Sequence, residues 1–233
     1  MQKITLQTSE KMRKLVISLL LAIPCLVHAQ KDVTTFLGIP VDGYKSEMKK
    51  KLISKGFTPK TVKGSEFLEG EFNGVDVHVY IGTNNNKVYR IMLCDADTRS
   101  EANIKIRFNN LVSQFKKNKR YTSYGDFTIS DTEDISYEMI VNQKNYDAVF
   151  FQIPNMEKLD TLASQEMLKI FSPEQLANPN DEVVQRSKDI ALQLAMDITI
   201  NKSVWFRICE SYGEYYITMY YDNEYNKADG EDL

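Results

Sequence analysis

Hydrophobic residues recur along this chain with two different spacings, and the spacing changes from one block to the next. Tyr44, Met48 and Leu52 recur every four residues with lysines between them, which predicts an amphipathic helix. We expect this helix to begin near Tyr44 and to end before Gly56, where a left-handed residue would cap it. An extended segment at residues 36–40 precedes the helix, because a proline biases the residue before it away from helical conformation.

Three stretches of alternating apolar and polar residues follow and predict an antiparallel meander. The dipeptide Asn73-Gly74 is typical of a two-residue hairpin turn, and it pairs Leu68 with Val79. Residues 84–86 mark the next turn. Keeping one apolar face then pairs Val79 with Ile91, which leaves the meander with one buried face and one polar face.

The same order of elements is predicted a second time. Thr98 and Glu101 have the spacing of a capping box at the start of a helix. Strands are expected after it at residues 127–129, 137–141 and 148–153. The buried side of the helix consists of the apolar residues Ile104, Phe108, Leu111, Val112 and Phe115.

A third block closes the chain. Residues 155–180 combine breakers with weak periodicity, so we expect an irregular or short-helical connector there. A helix then begins near Asn180 and leads into a hairpin with strands at 204–209 and 215–221, turning at 211–213. One side of this helix carries Val184, Ser187, Ala191, Leu194 and Ile198.

Helices followed by consecutive strands favour an α+β fold over a parallel sheet. We predict two or three helix-plus-antiparallel-meander units. Residues 30–154 form a tandem helix-plus-sheet domain, and residues 155–180 connect it to the last block. Residues 181–233 supply a helix and an aromatic β-hairpin that pack on the same domain.

Residues 1–29 have the pattern of a secretory signal peptide, with Met12 as an alternative start. A basic segment precedes an apolar run that is too short to span a bilayer, and small residues lead up to Ala29. Pro24 stands before Cys25, where a lipid-anchored protein needs a small residue. We therefore expect cleavage after Ala29, a soluble periplasmic or secreted product, and no transmembrane anchor in the mature protein.

The mature chain is acidic, and this argues against nucleic acid as a partner. The full chain has 29 basic and 32 acidic residues, of which the leader holds four and one, so residues 30–233 have a net charge of −6. Nucleic-acid binding requires a concentrated basic surface. The lysine-rich runs at residues 49–51 and 116–120 fall in or just past predicted helix ends, where cations complement the helix dipole.

His78 is the only histidine after the leader. In the predicted register it lies on the polar face opposite Glu69 and Met92, with Cys94 one diagonal step away. These neighbours allow a Cys–His pair or, with Asp76, a metal cluster. We favour an ordinary polar strand face, because no second histidine completes a common zinc set. No catalytic residue, metal ligand or cofactor is therefore assigned.

Two cysteines remain after the leader, Cys94 and Cys209, and both fall in predicted strands. Disulfides persist in export compartments, so a bridge between them is one interpretation. Two buried free thiols, which behave as small hydrophobic side chains, are the other. Geometry decides between them, and the alternatives stay open at this point.

The closing hairpin is the most aromatic segment of the chain. Trp205, Tyr216 and Tyr220 are the candidate ligand-binding residues in it. Tyrosine and tryptophan on an exposed strand face offer a large contact area with a polar tip, which suits the recognition of a protein, a peptide or a glycan. The alternative is that these residues are there because aromatic side chains are good strand formers.

The segment at residues 36–57 and the ending at residues 220–233 resemble a family of uncharacterised exported proteins common in Bacteroidetes. That family implies no assigned activity, so no functional residue follows from it. The order of elements is also similar to tandem helix-plus-sheet modules of the β-lactamase-inhibitor-protein type, whose sheets bind other proteins. The family resemblance rests on Phe36-Leu37-Gly38-Ile39-Pro40-Val41-Asp42-Gly43 with the positions up to Gly56-Phe57, and on the ending from Tyr220-Tyr221-Asp222-Asn223 to Leu233.

Taken together, these patterns predict an exported, soluble binding module whose ligand is a protein, peptide or glycan of the cell envelope. We do not expect an enzyme. An envelope enzyme or metal-binding protein that uses His78 and its neighbours is the first alternative. A structural component of the envelope is the second.

Overall fold

The computed structural model describes residues 31–228, so the predicted signal peptide lies outside the described residues. Six α-helices occur within this range, and none of these is long and apolar enough to cross a membrane. They are α1 (Lys45–Ser54), α2 (Glu101–Lys117), α3 (Ile135–Val141), α4 (Met156–Ile170), α5 (Pro173–Ala177) and α6 (Asp181–Ile200).

The strands form a short hairpin and one large antiparallel sheet. The hairpin pairs β1 (Thr35–Phe36) with β2 (Ile39–Pro40). The large sheet has eight strands in the order β3-β4-β5-β6-β10-β9-β8-β7. These are β3 (Thr58–Val62), β4 (Ser65–Phe72), β5 (Val75–Asn84), β6 (Lys87–Asp95), β7 (Tyr121–Thr122), β8 (Asp147–Gln152), β9 (Ser203–Ser211) and β10 (Glu214–Asp222).

The fold is α+β, and the strand order divides the sheet into two four-stranded meanders. Helix α1 precedes β3 to β6, and helix α2 precedes β7 to β10. The last strand of each meander, β6 or β10, pairs with that of the other, and Tyr220 lies opposite Met92 at this seam. The predicted helix-plus-meander units are therefore present as two. The closing hairpin completes the second unit rather than forming a third.

Both leading helices pack on the same face of the large sheet and bury its apolar residues. Helix α1 contacts β5 and β6 and buries Met48 and Leu52, while α2 contacts β7 and β10. The stripe predicted for α2 is buried at all five positions. Phe108 of that stripe packs edge-on against Phe206 of β9, with ring centroids 5.1 Å apart. One continuous core thus runs across the two units.

The first predicted hairpin is confirmed, but the register of the second is wrong by two residues. Leu68 pairs with Val79 as the Asn73-Gly74 turn requires. Val79 pairs with Leu93 and not with Ile91. The second turn is a two-residue turn with both central asparagines at positive φ, and a bulge follows it between β5 and β6. Together these two features shift the pairing of β6 with β5 by two residues. Each side chain of β6 therefore stays on its predicted face but lies opposite a different residue of β5.

Two of the strands predicted after α2 do not form. Residues 137–141 belong to helix α3, because the side chain of Asp134 caps its start by accepting a hydrogen bond from the amide of Tyr137. Residues 127–129 adopt no regular secondary structure. The side chain of Asn109 bonds both the amide and the carbonyl of Ile129, at 2.9 and 2.8 Å. The third predicted strand, at 148–153, corresponds to β8.

The segment predicted as an irregular or short-helical connector contains the 15-residue helix α4 and the five-residue helix α5. The side chain of Asn155 caps α4, and Ser172 with Gln175 forms a capping box at α5. Helix α4 then packs against α6. In α6 the buried residue at the start is Val183, whereas the predicted Val184 is partly exposed.

Candidate functional site

The predicted site residues lie on the face of the large sheet opposite the two leading helices. Side chains of adjacent strand residues point to opposite faces, so those that flank core positions collect here. Solvent reaches these residues, which are half-buried where their core-facing neighbours are buried. We call this surface the open face, and it includes His78, Tyr80, Arg90, Met92, Cys94, Trp205, Arg207, Cys209, Tyr216 and Tyr220.

Trp205 and Tyr220 form an aromatic stack at the centre of the open face. They are direct partners across β9 and β10, and their ring centroids lie 4.0 Å apart with 16° between the planes. Arginines lie beside both rings. The guanidinium of Arg90 is 4.8 Å from the centroid of Tyr220, and that of Arg207 is 5.2 Å from the centroid of Trp205. These distances are within the range of cation–π attraction.

Carboxylates hold the two arginines in place. Arg90 donates two hydrogen bonds to Asp222, at 2.6 and 2.8 Å, and the indole Nε1 of Trp205 donates a third to the same carboxylate at 2.8 Å. Arg207 donates two to Asp147, at 2.8 and 3.1 Å. These carboxylates raise the pKa of each arginine, chiefly through the hydrogen bonds, so both remain charged. The stack is therefore a prearranged element of the sheet.

Tyr216 lies on the same face but outside the aromatic stack. It is four residues before Tyr220 on β10 and lies opposite Cys209 of β9. Burial raises the pKa of its hydroxyl above the ordinary tyrosine value, and the neighbouring thiols add to this shift. The three predicted ligand-binding residues are thus on one face, with Trp205 and Tyr220 in contact and Tyr216 further along it.

His78 has a different neighbour from the one predicted. It pairs with Glu69 as expected, and its Nε2 lies 3.8 Å from Glu69 Oε1. The predicted neighbour Met92 faces Tyr80, whereas Cys94 lies directly opposite His78, because the second hairpin is shifted by two residues. Histidine and cysteine are therefore closer in register than the sequence indicated.

This pairing does not activate the thiol of Cys94. Burial, followed by the charges of Asp95 and Cys209, raises the pKa of Cys94 to about 11. Since the thiolate is the nucleophile, a thiol with that pKa is almost entirely protonated and weakly nucleophilic at neutral pH. Within residues 31–228, no cluster of three or more histidine, cysteine, aspartate or glutamate side chains is placed to hold a metal ion.

The two cysteines left open by the sequence are both free thiols. Cys94 lies on β6 and Cys209 on β9, and strand β10 separates them in the sheet. Cys209 Sγ lies 3.3 Å from the hydroxyl of Thr218, which occupies that intervening strand. Cysteines on strands that are separated by a third strand are too far apart for a disulfide, so Cys94 and Cys209 are not bridged.

The arginines and carboxylates around the stack were not predicted from the sequence. One usable signal was present, since a two-residue turn at Tyr212-Gly213 pairs Trp205 with Tyr220, whereas the predicted three-residue turn does not. Arg90 and Asp222 had no such signal. They meet across the seam between the two units, and pairing between distant strands is not encoded by a local turn.

Comparisons with known proteins add no neighbour to this site. No protein-family model, curated protein or solved structure that was compared with the chain matches it. Functional inference therefore rests on the geometry of the open face and on the sequence.

Proposed function

We propose that this chain is a binding module of the cell envelope that recognises another protein or a peptide through the open face of its sheet. The observation that carries this proposal is the aromatic stack of Trp205 and Tyr220 with Arg90 and Arg207 beside it. Tryptophan, tyrosine and arginine are the residue types that dominate binding energy at protein interfaces. Ion pairs already order these side chains, so little conformational entropy remains to be lost on binding.

The stacking geometry favours a protein or peptide over a glycan. A sugar ring usually packs flat on an open aromatic face. In the aromatic stack the facing sides of Trp205 and Tyr220 cover each other, with centroids 4.0 Å apart. The ring edges and the flanking guanidinium groups are what remain for a ligand. Edges and arginines suit the backbone carbonyls, carboxylates and apolar side chains of a polypeptide.

The predicted signal peptide supports a partner outside the cytoplasm. Export is an expectation from residues 1–29, which carry the basic, apolar and small-residue segments of a leader. The net charge of −6 for the mature chain favours a protein surface over nucleic acid. The resemblance to helix-plus-sheet inhibitor modules points in the same direction, because those modules bind proteins with their sheets.

The enzyme alternative has weaker support. It needs an activated group near His78, and the pKa of about 11 for Cys94 leaves the thiol protonated at neutral pH. A structural role in the envelope predicts stoichiometric association with an assembly, independent of the aromatic stack.

The experiment that tests the proposal is crosslinking and affinity capture of tagged, natively exported protein, followed by mass spectrometry against a tag-only control. We expect one reproducible partner that is lost with Trp205→Ala or Tyr220→Ala. Tyr212→Ala is the matched control, because Tyr212 is a fully exposed aromatic at the tip of the same hairpin. His78→Ala is expected to retain the partner.

Three outcomes would count against this proposal. Capture of no partner above the control removes the binding interpretation as stated. A partner that is retained by both stack variants moves the interface away from the open face. Loss of function with His78→Ala in a folded protein supports the enzyme alternative instead. Far-ultraviolet circular dichroism and urea unfolding of each variant separate loss of binding from loss of folding.

A further inference from the structure

A cavity of about 930 Å³ lies on the helix-covered side of the sheet, away from the open face. The turn between β1 and β2, the end of β4 and the C-terminal end of α2 surround it, together with residues 118–121. Its volume is in the range of about 300–1,000 Å³ that is typical of small-molecule sites. None of the residues in the aromatic stack contributes to its lining.

One part of the lining is apolar. Phe72 of β4 and Phe115 of α2 supply aromatic rings, and Leu37 and Ile153 add aliphatic side chains. Leu37 and Ile153 are 39% and 46% exposed, so apolar surface remains open to solvent at this place. Such surface favours contact with the apolar body of a ligand.

The floor of the cavity is polar and fixed by hydrogen bonds. The amide oxygen of Gln152 accepts from the backbone and hydroxyl of Thr35, at 2.8 and 3.2 Å, and its nitrogen donates to the Thr35 carbonyl at 2.7 Å. The same nitrogen reaches the hydroxyl of Tyr121 at 3.2 Å. Tyr221, which is buried beside it, hydrogen-bonds Tyr121. These hydrogen bonds hold the floor of the cavity in place.

Cations outnumber carboxylates in the lining. Lys119, Arg120 and Lys202 line the cavity, and Glu71 is the one carboxylate among the lining residues. Lys202 is buried and forms an ion pair with Asp32 at 3.0 Å. Neither Lys119 nor Arg120 belongs to any ion pair within the described part of the chain. A local excess of positive charge on an acidic protein is suited to an anion.

The helix dipole does not account for these two cations. Helix α2 ends at Lys117 and its C-cap is Asn118, so Lys119 and Arg120 lie beyond it. Lys116, in the last turn, has a partner of its own in Asp126 at 2.6 Å. The sequence-based explanation of a solvated helix end therefore applies to residues 116–117. Arg120 and Tyr221 both line the cavity.

We propose that this cavity binds a small amphipathic anion, with its sulfonate, carboxylate or phosphate on Lys119 and Arg120 and its apolar body against Phe72 and Phe115. The proposal is independent of the function proposed for the open face, because the two sites share no residue.

A groove of similar size provides an internal control. It lies between α4 and α6, has a volume of about 920 Å³, and is also partly apolar. Its charge is opposite, since Arg186 is the only cation in a lining with four carboxylates. A ligand that is bound through apolar contacts alone should bind both the cavity and this groove. An anionic ligand should bind the cavity more tightly than the groove. The four carboxylates belong to Glu166, Glu182, Asp189 and Asp197.

The test uses two fluorescent probes with the purified full protein. Anilinonaphthalene sulfonate is an amphipathic anion, and N-phenylnaphthylamine has the same aromatic body without the sulfonate. We expect one sulfonate probe per chain. The double variant Lys119→Gln, Arg120→Gln should weaken its binding by at least about tenfold, because two charge-assisted contacts are lost. The neutral probe should bind this variant and the parent equally.

Arg186→Gln is the matched variant in the second groove and should change neither affinity. Ile153→Trp, which fills the cavity, should reduce the binding of both probes. The proposal is overturned if the sulfonate probe does not bind, if the double variant binds it unchanged, or if Arg186→Gln weakens it equally. Parallel loss of both probes in the double variant also overturns it, and near-ultraviolet circular dichroism identifies any variant that has lost its fold.

Discussion

Arg90 of β6 and Asp222 of β10 are direct cross-strand partners, joined by two hydrogen bonds of 2.6 and 2.8 Å. The side chain of Asp222 is only 4% exposed. The same carboxylate accepts a hydrogen bond from the indole N–H of Trp205. One buried side chain therefore links the two units and also holds the aromatic stack in place. Stability and recognition are therefore connected at this position.

Arg90→Ala is expected to destabilise the protein strongly. Arg90 is partly exposed, but its removal leaves the buried Asp222 carboxylate with the Trp205 indole as its remaining side-chain donor, and lost hydrogen bonds to a charged group cost about 1.5–3 kcal/mol. The free energy of unfolding in urea measures this. Lys60→Ala is the matched control, since Lys60 pairs with Glu69 at 3.3 Å on exposed surface, where a pair contributes about 0–1 kcal/mol. Equal losses in the two variants would contradict this account of the seam.

Gly70→Ala is expected to destabilise the protein because a methyl group has no room there. A Cβ at this position would lie 2.5 Å from the ring of Phe57, which is buried. Overpacking of this kind costs about 1–3 kcal/mol. Urea unfolding measures the loss, and Phe57→Leu in the same background should recover part of it. Gly125→Ala, whose Cβ would approach Phe127 no closer than 3.3 Å, should have a smaller effect.

The thiol of Cys94 should react slowly at neutral pH. With Cys25→Ser and Cys209→Ser, Cys94 is the sole thiol, and because burial is the main cause of its raised pKa, its alkylation rate should still be half-maximal well above the ordinary thiol pKa of about 8.5. Between about pH 8.5 and the raised pKa of the folded state, the Cys94 thiol stays protonated in the folded chain but ionises in the unfolded chain, whose thiol pKa is about 8.5. Stability from this group is therefore complete below that unfolded value and falls as the pH rises toward 11. A midpoint below about pH 9 would contradict burial as the cause.

Trp205 is the only tryptophan, so its fluorescence reports on the aromatic stack. Tyr220→Ala removes the ring that covers one side of the indole. We expect acrylamide to quench the variant more strongly than the parent protein. Tyr212→Ala, at the tip of the hairpin, should leave quenching unchanged. Equal quenching in parent and Tyr220→Ala would show that the stack does not shield Trp205 in solution.

Export predicts a specific amino terminus. If the leader is cleaved after Ala29, protein recovered from the envelope begins at Gln30, and intact mass measures this directly. Ala29→Leu should reduce cleavage and leave the leader attached, because the site requires a small residue. Recovery of uncleaved wild-type protein from the cytoplasm alone would refute export.

Local turn chemistry made the first meander predictable and misplaced the second hairpin. Asn73-Gly74 fixes one register, and Leu68 pairs with Val79 as expected. The bulge near Gly82 has no comparably specific signal, so Ile91 was assigned the wrong partner. A register error of two residues preserves the faces of a strand, so the polar face of the first meander was predicted correctly although its cross-strand contacts were not.

Side chains that bond to the backbone explain the other differences. Asn109 takes the place of a strand partner for Ile129, and Asp134 starts a helix where alternation favoured a strand. Asn155 starts α4 in a segment with weak periodicity. For the candidate site, the sequence was sufficient to place Trp205 and Tyr220 on the two strands of one hairpin. Its arginines were not, because their partners come from distant parts of the chain.

Strand β10 is the last strand within residues 31–228 but lies in the middle of the eight-stranded sheet. Until residues 214–222 are available, β6 and β9 each lack a hydrogen-bonded neighbour on one side. Completion of the sheet must therefore wait for residues 214–222, during synthesis or during transport. If the chain crosses a membrane as the predicted leader implies, the order of its strands delays completion of the sheet until residues 214–222 have emerged.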